Sequence, residues 1–291
     1  MVQKGIIIKG VGSFYDVLTN DKVIRCRLRG RLRLEGIRPL VGDNVLVRPA
    51  TNVQEASIEE ILPRKNHMQR PTVSNISNLI VILAAKKPSP DLLLVDKLLV
   101  YAEHLNIKPI LVINKIDLVQ DEYLNRLKKE FLNTGYPCYP ISVIDGHGVE
   151  ELKKYLEGIS VLAGQSGVGK SSIINALSSS HKLETGEISK KLNRGRHTTR
   201  HVELLILDDG GMIVDTPGFS QLSLLEIPQE GLQDKYPDFT FHKSRCRFTG
   251  CQHNQEPDCA VRDAVEQGQI SQGRYERYLI LLEDLAKQRR Y

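Results

Sequence analysis

The chain has 291 residues, 41% of them hydrophobic and 26% charged, and this is the composition of a soluble globular protein. No apolar run approaches the roughly 20 residues of a membrane span, and the N-terminal residues lack a signal-peptide pattern, so we expect a cytoplasmic location. The net charge is +5, and residues 1–65 alone hold twelve Lys and Arg against seven Asp and Glu, which places the basic excess at the N-terminus.

Residues 1–65 are predicted to form an OB-like β-barrel. Short apolar and β-branched runs alternate there with turn signals from Gly, Asn, Asp and Pro, a pattern typical of small antiparallel barrels. The five predicted strands cover residues 5–9, 14–18, 23–28, 44–48 and 54–61.

A row of arginines begins in the third of these strands and continues beyond it. Arg25, Arg27, Arg29, Arg31 and Arg33 occupy every second position, so an extended chain would place all five guanidinium groups on one face. Such a row is suited to RNA phosphates. A solvated strand face is the alternative, and a break at Gly30 would keep the charge but end the strict one-sidedness.

Residues 66–225 are predicted to form an α/β domain with a doubly wound sheet. Buried parallel strands are predicted at residues 79–84, 109–114, 136–141 and 160–163, because these runs are short and almost wholly apolar. Helical spacing predicts helices at residues 89–105, 121–133 and 148–158, which would cover both faces of the sheet.

An N-K-x-D sequence, Asn114 to Asp117, stands at the carboxyl end of the second predicted strand. A carboxylate at Asp117 would accept both the ring N1–H and the exocyclic amine of guanine, whereas adenine offers no such donor pair on that edge. Ser142, followed by Val143 where many GTPases have alanine, is the expected final guanine-contacting motif. These residues predict guanine specificity.

A complete G-x-x-x-x-G-K-[ST] phosphate-binding loop covers residues 164–171, between a predicted strand and a predicted helix. Its glycines allow close backbone approach, Lys170 reaches the phosphate oxygens, and the Ser171 hydroxyl can ligate magnesium. An ordinary glycine-rich turn is the alternative. The residues expected to contact GTP are Asn114, Lys115, Asp117, Ser142, Gly164, Gln165, Ser166, Gly167, Val168, Gly169, Lys170, Ser171, Ser172, Asp215 and Gly218.

A D-x-x-G sequence, Asp215 to Gly218, follows a further predicted strand at residues 211–214. Asp215 would hold magnesium through water, and the Gly218 amide would meet the γ-phosphate. Thr199 is the expected switch ligand of the same ion, with Thr198 as the alternative. The predicted magnesium set is therefore Ser171, Thr199 and Asp215.

The order of the three motifs is unusual, since N-K-x-D precedes the phosphate loop and D-x-x-G comes last. In most GTPases the phosphate loop comes first and N-K-x-D comes late. A sheet tolerates a different order in sequence when the original termini lie close enough to be joined. The order predicts a circularly permuted GTPase domain.

Residues 226–291 are predicted to form a zinc-binding domain. Cys246, Cys251, His253 and Cys259 offer three thiolates and one imidazole within fourteen residues, a full tetrahedral set for one structural zinc ion. In a reducing compartment such clustering favours metal over disulfides. Free buried cysteines beside an unrelated histidine are the alternative.

The permuted motif order, set between an OB-like N-terminus and a Cys/His C-terminus, resembles the RsgA (YjeQ/YloQ) family of ribosome-small-subunit-dependent GTPases. The resemblance implies GTP hydrolysis with Mg²⁺ during late assembly of the small (30S) ribosomal subunit, stimulated by that subunit. It also implies rRNA contacts through the barrel and the zinc domain. We expect a monomer.

The expected catalytic residues are Lys170, Thr199 and His197. Phe219 follows D-x-x-G, where Ras-like GTPases carry glutamine, and phenylalanine cannot hydrogen-bond to water. His197, two residues before Thr199, is therefore the candidate that orients the attacking water. A loop histidine with no role and water positioned by rRNA are the alternatives.

Two other classes of function fit part of the sequence. A signalling switch that recruits proteins would use the same nucleotide motifs, but the arginine row argues against it. A non-enzymatic RNA-binding protein with GTP as a structural ligand is the other alternative. The complete set of Lys170, Ser171, Thr199 and Asp215 argues against that second class.

Overall fold

The computed structural model describes residues 2–20, 22–52, 54–178, 202–215 and 227–288. These residues form two compact units. The first unit contains the described parts of Met1–Leu79, Lys153–Leu162 and Ser171–Phe219, and the second contains those of Ile80–Leu152, Ala163–Lys170 and Ser220–Tyr291. Each unit therefore combines segments that are far apart in the sequence.

Five strands form a closed barrel at the start of the first unit. They are β1 (Gln3–Val11), β2 (Phe14–Thr19), β3 (Lys22–Leu28), β4 (Asn44–Arg48) and β5 (Ser57–Ile61). Neighbours pair in the order β1-β2-β3-β5-β4, and β4 also pairs with β1, which closes the ring. The β3–β5 pair is parallel and the others are antiparallel. The predicted five-stranded barrel is confirmed.

Side chains that alternate along the strands fill the barrel. In β3, Cys26 and Leu28 are buried while Arg25 and Arg27 are exposed, as the period of two requires. The buried cluster inside the barrel consists of Ile7, Val17, Cys26, Leu28, Leu32, Val45, Val47, Ala56 and Ile58.

The arginine row does not continue as a strand, so the five guanidinium groups do not share one strand face and the alternative of a break at Gly30 holds, although the break is a helical turn. β3 ends at Leu28, and helix α1 (Gly30–Leu34) follows it. The last residue pair of β3 and β5 joins Leu28 to Ile58, and the Arg29 amide still donates to Ile58 O at 3.1 Å. The Arg33 and Glu35 amides donate instead within the turn, to Arg29 O and Arg31 O. The turn also places Leu32, 4% exposed, in the barrel core.

A short hairpin not predicted from the sequence follows the barrel, formed by β6 (His67–Gln69) and β7 (Thr72–Ser74). The fully buried carboxylate of Asp43 accepts from Arg64 Nε at 2.7 Å and from Ser74 Oγ at 2.6 Å. A buried charge is tolerated only when it is paired and hydrogen-bonded. Asp43 therefore fixes the hairpin to the barrel.

The remaining strands belong to the α/β part of the chain. They are β8 (Ile76–Ala84), β9 (Lys108–Asn114), β10 (Cys138–Pro140), β11 (Ile159–Ala163), β12 (Glu203–Ile206) and β13 (Met212–Asp215). In the first unit the order is β11-β13-β12-β1, with β11 and β13 parallel and β12 antiparallel to both of its neighbours. In the second unit the order is β10-β9-β8, and β10 is parallel to β9.

Helices α2 (Leu92–His104), α3 (Asp121–Lys129), α4 (Val149–Lys153) and α5 (Lys170–Leu177) alternate with these strands. They lie where the sequence predicts helices, but the first three are shorter than predicted. α2 begins late because Asp91 Oδ1 accepts from the Leu94 amide at 2.9 Å and caps it. Beyond α3, Asn133 has a φ of 61°, a left-handed conformation that cannot continue a helix.

The described residues from 227 to 288 add three helices and a 3-10 helix (Gln229–Lys235) to the second unit. They are α6 (Pro237–Lys243), α7 (Ala260–Glu266) and α8 (Gln272–Gln288). None of the helices in the described ranges is long and apolar enough to cross a membrane.

A buried ion network attaches α8 to α2. The Arg274 guanidinium, 0% exposed, donates to the carboxylate of Asp96 and, at 3.0 Å, to Asp238 Oδ2. Arg277 donates to the other oxygen of Asp96 and, at 3.0 Å, to Glu130 Oε2. Since Asp96 and Asp238 are also fully buried, each charge depends on the others for compensation.

Replacing one cation of this network should destabilise the second unit strongly. Arg274→Met leaves Asp238 without its guanidinium, and breaking a buried pair in this way costs about 3–5 kcal/mol. Amide hydrogen exchange of α8 measures the loss as faster exchange.

The matched control is Lys97→Met, because Lys97 Nζ joins α2 to α8 through Asp284 Oδ2 at 3.5 Å on the surface. Exposed pairs contribute about 1 kcal/mol or less. Equal exchange rates in the two variants would contradict the role assigned to the buried network.

Candidate nucleotide site and metal centre

Loops that follow three strands meet at one edge of the second unit. The Ala85 amide, just after β8, donates to Asn114 O at 2.7 Å, and the Ile141 amide, just after β10, donates to Ile113 O at 2.8 Å. The carboxyl ends of β8, β9 and β10 are therefore adjacent. Ligands of open α/β sheets bind at such an edge.

Two glycines of the phosphate-binding loop occupy positions that no larger residue can take. Gly164 has a φ of 148°, and a Cβ there would lie 2.1 Å from Ile82 O at the end of β8. Gly169 has a φ of 101°, and its Cβ would lie 2.4 Å from Asn114 Nδ2. The loop backbone thus lies directly against β8 and the N-K-x-D sequence.

Two side chains of the N-K-x-D sequence hold the phosphate-binding loop. Asn114, 2% exposed, donates from Nδ2 to Val168 O at 2.8 Å. Lys115 donates from Nζ to Gly167 O at 2.7 Å and to Lys87 O at 2.5 Å. The two motifs, separated in the sequence, form one structural site.

The Asp117 carboxylate is oriented by neighbours on the next loop. Ser142 Oγ lies 2.8 Å from Asp117 Oδ1 and 3.0 Å from Asp145 Oδ2, and its single proton can serve one of them at a time. The Ser142 amide donates to His147 O at 3.0 Å, so it is the hydroxyl that reaches Asp117. Asp117 is exposed on the 3-10 helix Ile116–Leu118. Asp145 was missed, because no motif marks it.

Lys170 Nζ forms hydrogen bonds with the backbone of the phosphate-binding loop. It donates to Gly164 O at 2.7 Å and to Gln165 O at 2.9 Å. Burial lowers the pKa of Lys170 to about 8, because the ammonium form loses solvation. Its charge therefore depends on pH close to neutrality.

Several predicted site residues lie outside the described part of the chain. They are His197, Thr198, Thr199 and Gly218. Asp215 ends β13, but its side chain is also outside the description. Ser171 and Ser172 lie in the first turn of α5, so of the predicted magnesium ligands only the Ser171 side chain is described.

The four predicted metal ligands come together in the second unit. The ligand atoms of Cys246, Cys251, His253 and Cys259 all lie within 4.8 Å of one another. Cys251 Sγ is 3.8 Å from Cys259 Sγ, and His253 Nδ1 is 3.4 Å from the same sulfur. An ion about 2.3 Å from sulfur and 2.0–2.1 Å from nitrogen at tetrahedral angles separates its ligand atoms by about 3.5–3.8 Å. The residues fit a tetrahedral metal ion.

The environment of the cluster favours a bound cation. Burial lowers the pKa of His253 to about 4, so the imidazole is neutral and has a lone pair to offer. Burial also raises the pKa of Cys251 to about 12, which disfavours a thiolate in the absence of a nearby positive charge. A metal ion would supply that charge.

The positive charges of the N-terminal arginines are paired with more carboxylates than the sequence suggests. Glu55 and Glu59 pair with Arg27 at 3.0 Å and with Arg29 at 2.5 Å. Arg31 pairs with Glu35 at 3.2 Å, whereas Arg33 has no carboxylate partner among the described residues. The face mixes signs, because acidic residues reach it from β2, from β5, from the chain just before β5 and from the end of α1.

Comparisons with known proteins agree over the whole chain. The family model described as RsgA GTPase matches residues 61–225, and the RsgA N-terminal domain model matches residues 4–58. The relative named small ribosomal subunit biogenesis GTPase RsgA from Caldanaerobacter subterraneus is 46% identical, over 99% of this chain and 98% of its own. The relative of the same name from Geobacillus sp. is 45% identical, over 98% of each chain.

Two solved structures share the fold. YjeQ from Thermotoga maritima is 36% identical with a TM-score of 0.86, over 98% of this chain and 99% of its own. YloQ, described as a circularly permuted GTPase, is 35% identical with a TM-score of 0.84, over 99% of this chain and 96% of its own. The predicted fold class, a circularly permuted P-loop GTPase domain flanked by an OB-like barrel and a Cys/His region, is confirmed.

Nucleotide affinity should fall as pH rises through about 8. A polyphosphate binds the ammonium form of Lys170, which is already protonated below its pKa of about 8. Above that pH the proton must be taken up on binding, and affinity falls up to about tenfold per pH unit. Calorimetry with GDP between pH 7 and 9.5, in buffers of different ionisation enthalpy, measures both effects. A pH-independent Kd without proton uptake would contradict the assignment.

Guanine specificity should depend on Asp117. In Asp117→Asn the amide no longer accepts from both guanine donors, so GTP affinity should fall while xanthosine triphosphate affinity rises, because xanthine carries a carbonyl in place of the amine. Fluorescence competition against a labelled nucleotide gives both constants. Asp145→Asn is the control, since Asp145 meets the same Ser142 hydroxyl. Unchanged GTP affinity in Asp117→Asn would remove the assignment.

Proposed function

Because the chain belongs to the RsgA GTPase family, we propose that it binds and hydrolyses GTP during the biogenesis of the small ribosomal subunit. Support comes from the relatives that carry this name and match nearly the full chain at 45–46% identity. We place the hydrolysis late in subunit assembly, in the cytoplasm, by a monomer. We divide the chain into a barrel domain at 1–65, a GTPase domain at 66–225 and a metal-binding domain at 226–291.

The observation that carries the nucleotide proposal is the hydrogen bond from Asn114 Nδ2 to Val168 O at 2.8 Å. A guanine-reading motif and a phosphate-binding loop that share a buried hydrogen bond can bind the base and the phosphates of the same nucleotide. Asp117, oriented by Ser142, reads the base. Lys170 leaves its two loop carbonyls for the phosphate oxygens, and Ser171 and Asp215 hold the accompanying magnesium.

Catalysis is assigned to Lys170, Thr199 and His197. Phosphoryl transfer to water needs charge stabilisation at the phosphates and a polar group that orients the water. Phe219 has no such group, and His197 is two residues from the proposed magnesium ligand Thr199. His197 therefore orients the water, with the ribosomal subunit promoting that arrangement.

The metal ion is assigned as zinc with a structural role. Three sulfurs and one imidazole are ligands that zinc prefers, and four protein ligands leave no open position for chemistry. The ion would stabilise the fold of residues 246–259, since the binding energy of a structural metal is folding energy.

The barrel and the metal-binding domain are assigned to rRNA. Arg25, Arg27, Arg29, Arg31 and Arg33 are exposed on β3, α1 and the residue between them. The pairs of Arg27 with Glu55 and of Arg31 with Glu35 are solvent-exposed, so they contribute little and can exchange an acidic partner for a phosphate, whereas Glu59, the partner of Arg29, is 11% exposed. Arg25 and Arg27 also lie 4.9 and 4.6 Å from the centre of the Phe14 ring, which holds both guanidinium groups on the same surface.

The test is co-sedimentation with isolated small ribosomal subunits in GDP, GTP and a non-hydrolysable analogue at two salt concentrations. Because nucleotide and subunit are coupled in this proposal, binding should be about 10–100-fold tighter with the analogue than with GDP. It should weaken at high salt.

His197→Ala isolates catalysis from binding. It should keep GTP and subunit binding but lose subunit-stimulated turnover. Equal binding in all nucleotide states would contradict coupling, and unchanged stimulated turnover in the variant would assign the water to another group.

A further inference from the structure

His253 uses its two ring nitrogens for different purposes. Nδ1 faces the sulfurs, 3.6 Å from Cys246 Sγ and 3.4 Å from Cys259 Sγ. Nε2 lies 2.8 Å from Gln233 Oε1. An amide oxygen only accepts hydrogen bonds, so Nε2 carries the proton and Nδ1 keeps its lone pair. The pairing thus selects the tautomer that can ligate a metal ion through Nδ1.

The ring has few alternatives to this orientation. His253 is 0% exposed, and its backbone carbonyl accepts from the Tyr275 hydroxyl at 2.7 Å. The Phe239 ring meets it edge-on at 5.8 Å. With the backbone held and the ring enclosed, the hydrogen bond at Nε2 decides which nitrogen faces the sulfurs.

We propose that Gln233 is a positioning residue of the metal centre, which fixes His253 for ligation through Nδ1. It lies on the 3-10 helix Gln229–Lys235, outside the stretch of residues 246–259 that supplies the ligands. The inference rests on the proposal that the cluster holds zinc. Partners of this kind fix the orientation of a ligating histidine and raise its basicity.

A second consequence concerns the 3-10 helix itself. Its hydrogen bond to a metal ligand means that the bound ion and the position of this helix stabilise each other. Removing zinc should therefore speed amide exchange in residues 229–235 as well as in the ligand loop.

The experiment compares three variants of the full-length protein. Gln233→Leu removes the acceptor, and Gln233→Glu keeps one. Gln229→Leu is the matched control, because Gln229 lies on the same 3-10 helix but pairs with Gln252, which is not a ligand, at 3.4 Å. Zinc affinity is measured by competition with a chromogenic chelator, and the ring tautomer by ¹⁵N NMR of the histidines.

Gln233→Leu should lower zinc affinity about 10–100-fold, and Gln233→Glu should restore it to within a few-fold of wild type. Gln229→Leu should match wild type, and the wild-type spectrum should show protonated Nε2. Equal affinities in Gln233→Leu and Gln229→Leu, or ligation through Nε2, would overturn the proposal. Wild-type protein that retains no zinc would overturn both the zinc assignment and this inference, whereas a loaded wild type with an unaffected Gln233→Leu would overturn this inference alone.

Discussion

One buried hydrogen bond, from Asn114 Nδ2 to Val168 O, joins the N-K-x-D sequence to the phosphate-binding loop across 54 positions of sequence. Asn114 is 2% exposed, and a buried polar group left without a partner costs about 1–3 kcal/mol. The bond also explains why Gly169 must be glycine, since a Cβ would lie 2.4 Å from Asn114 Nδ2. A residue of the N-K-x-D sequence thus sets the position of the phosphate-binding loop.

The hydrogen bond between Asn114 and Val168 does not depend on the order of the motifs along the chain. It needs the loop after β9 to lie beside the phosphate-binding loop, and the adjacent carboxyl ends of β8, β9 and β10 supply that edge. Circular permutation preserves such contacts while moving the termini, so new segments can be attached at new places. In this chain β13 is the last described strand, and the polypeptide continues from it into the region that carries the metal ligands.

Features that depend on local sequence patterns could be predicted from the sequence. Features that depend on contacts between residues far apart in the sequence could not. The barrel strands, the phosphate-binding loop and the cluster of three cysteines and one histidine follow from periodicity and spacing. Helix α1 could not be predicted, because it begins where the pairing of β3 with β5 ends, and that end is set by a tertiary contact. The acidic partners of the arginines, Asp145 beside Ser142 and Gln233 beside His253 are tertiary contacts without a motif.

Helix α8 contacts two parts of the second unit, helix α2 through ion pairs and the loop around His253 through hydrogen bonds. Arg274 and Arg277 bind Asp96 on α2, while Tyr275 and Tyr278 donate to the backbone carbonyls of His253 and Gln252 in the metal loop. The four residues lie within five consecutive positions, so both contacts act on the same part of a 17-residue helix. A helix held by the buried charges of Arg274 and Arg277 and by the hydrogen bonds of Tyr275 and Tyr278 cannot shift against one partner without straining the other. The loop that carries His253 and Gln252 is thereby linked to α2 through α8.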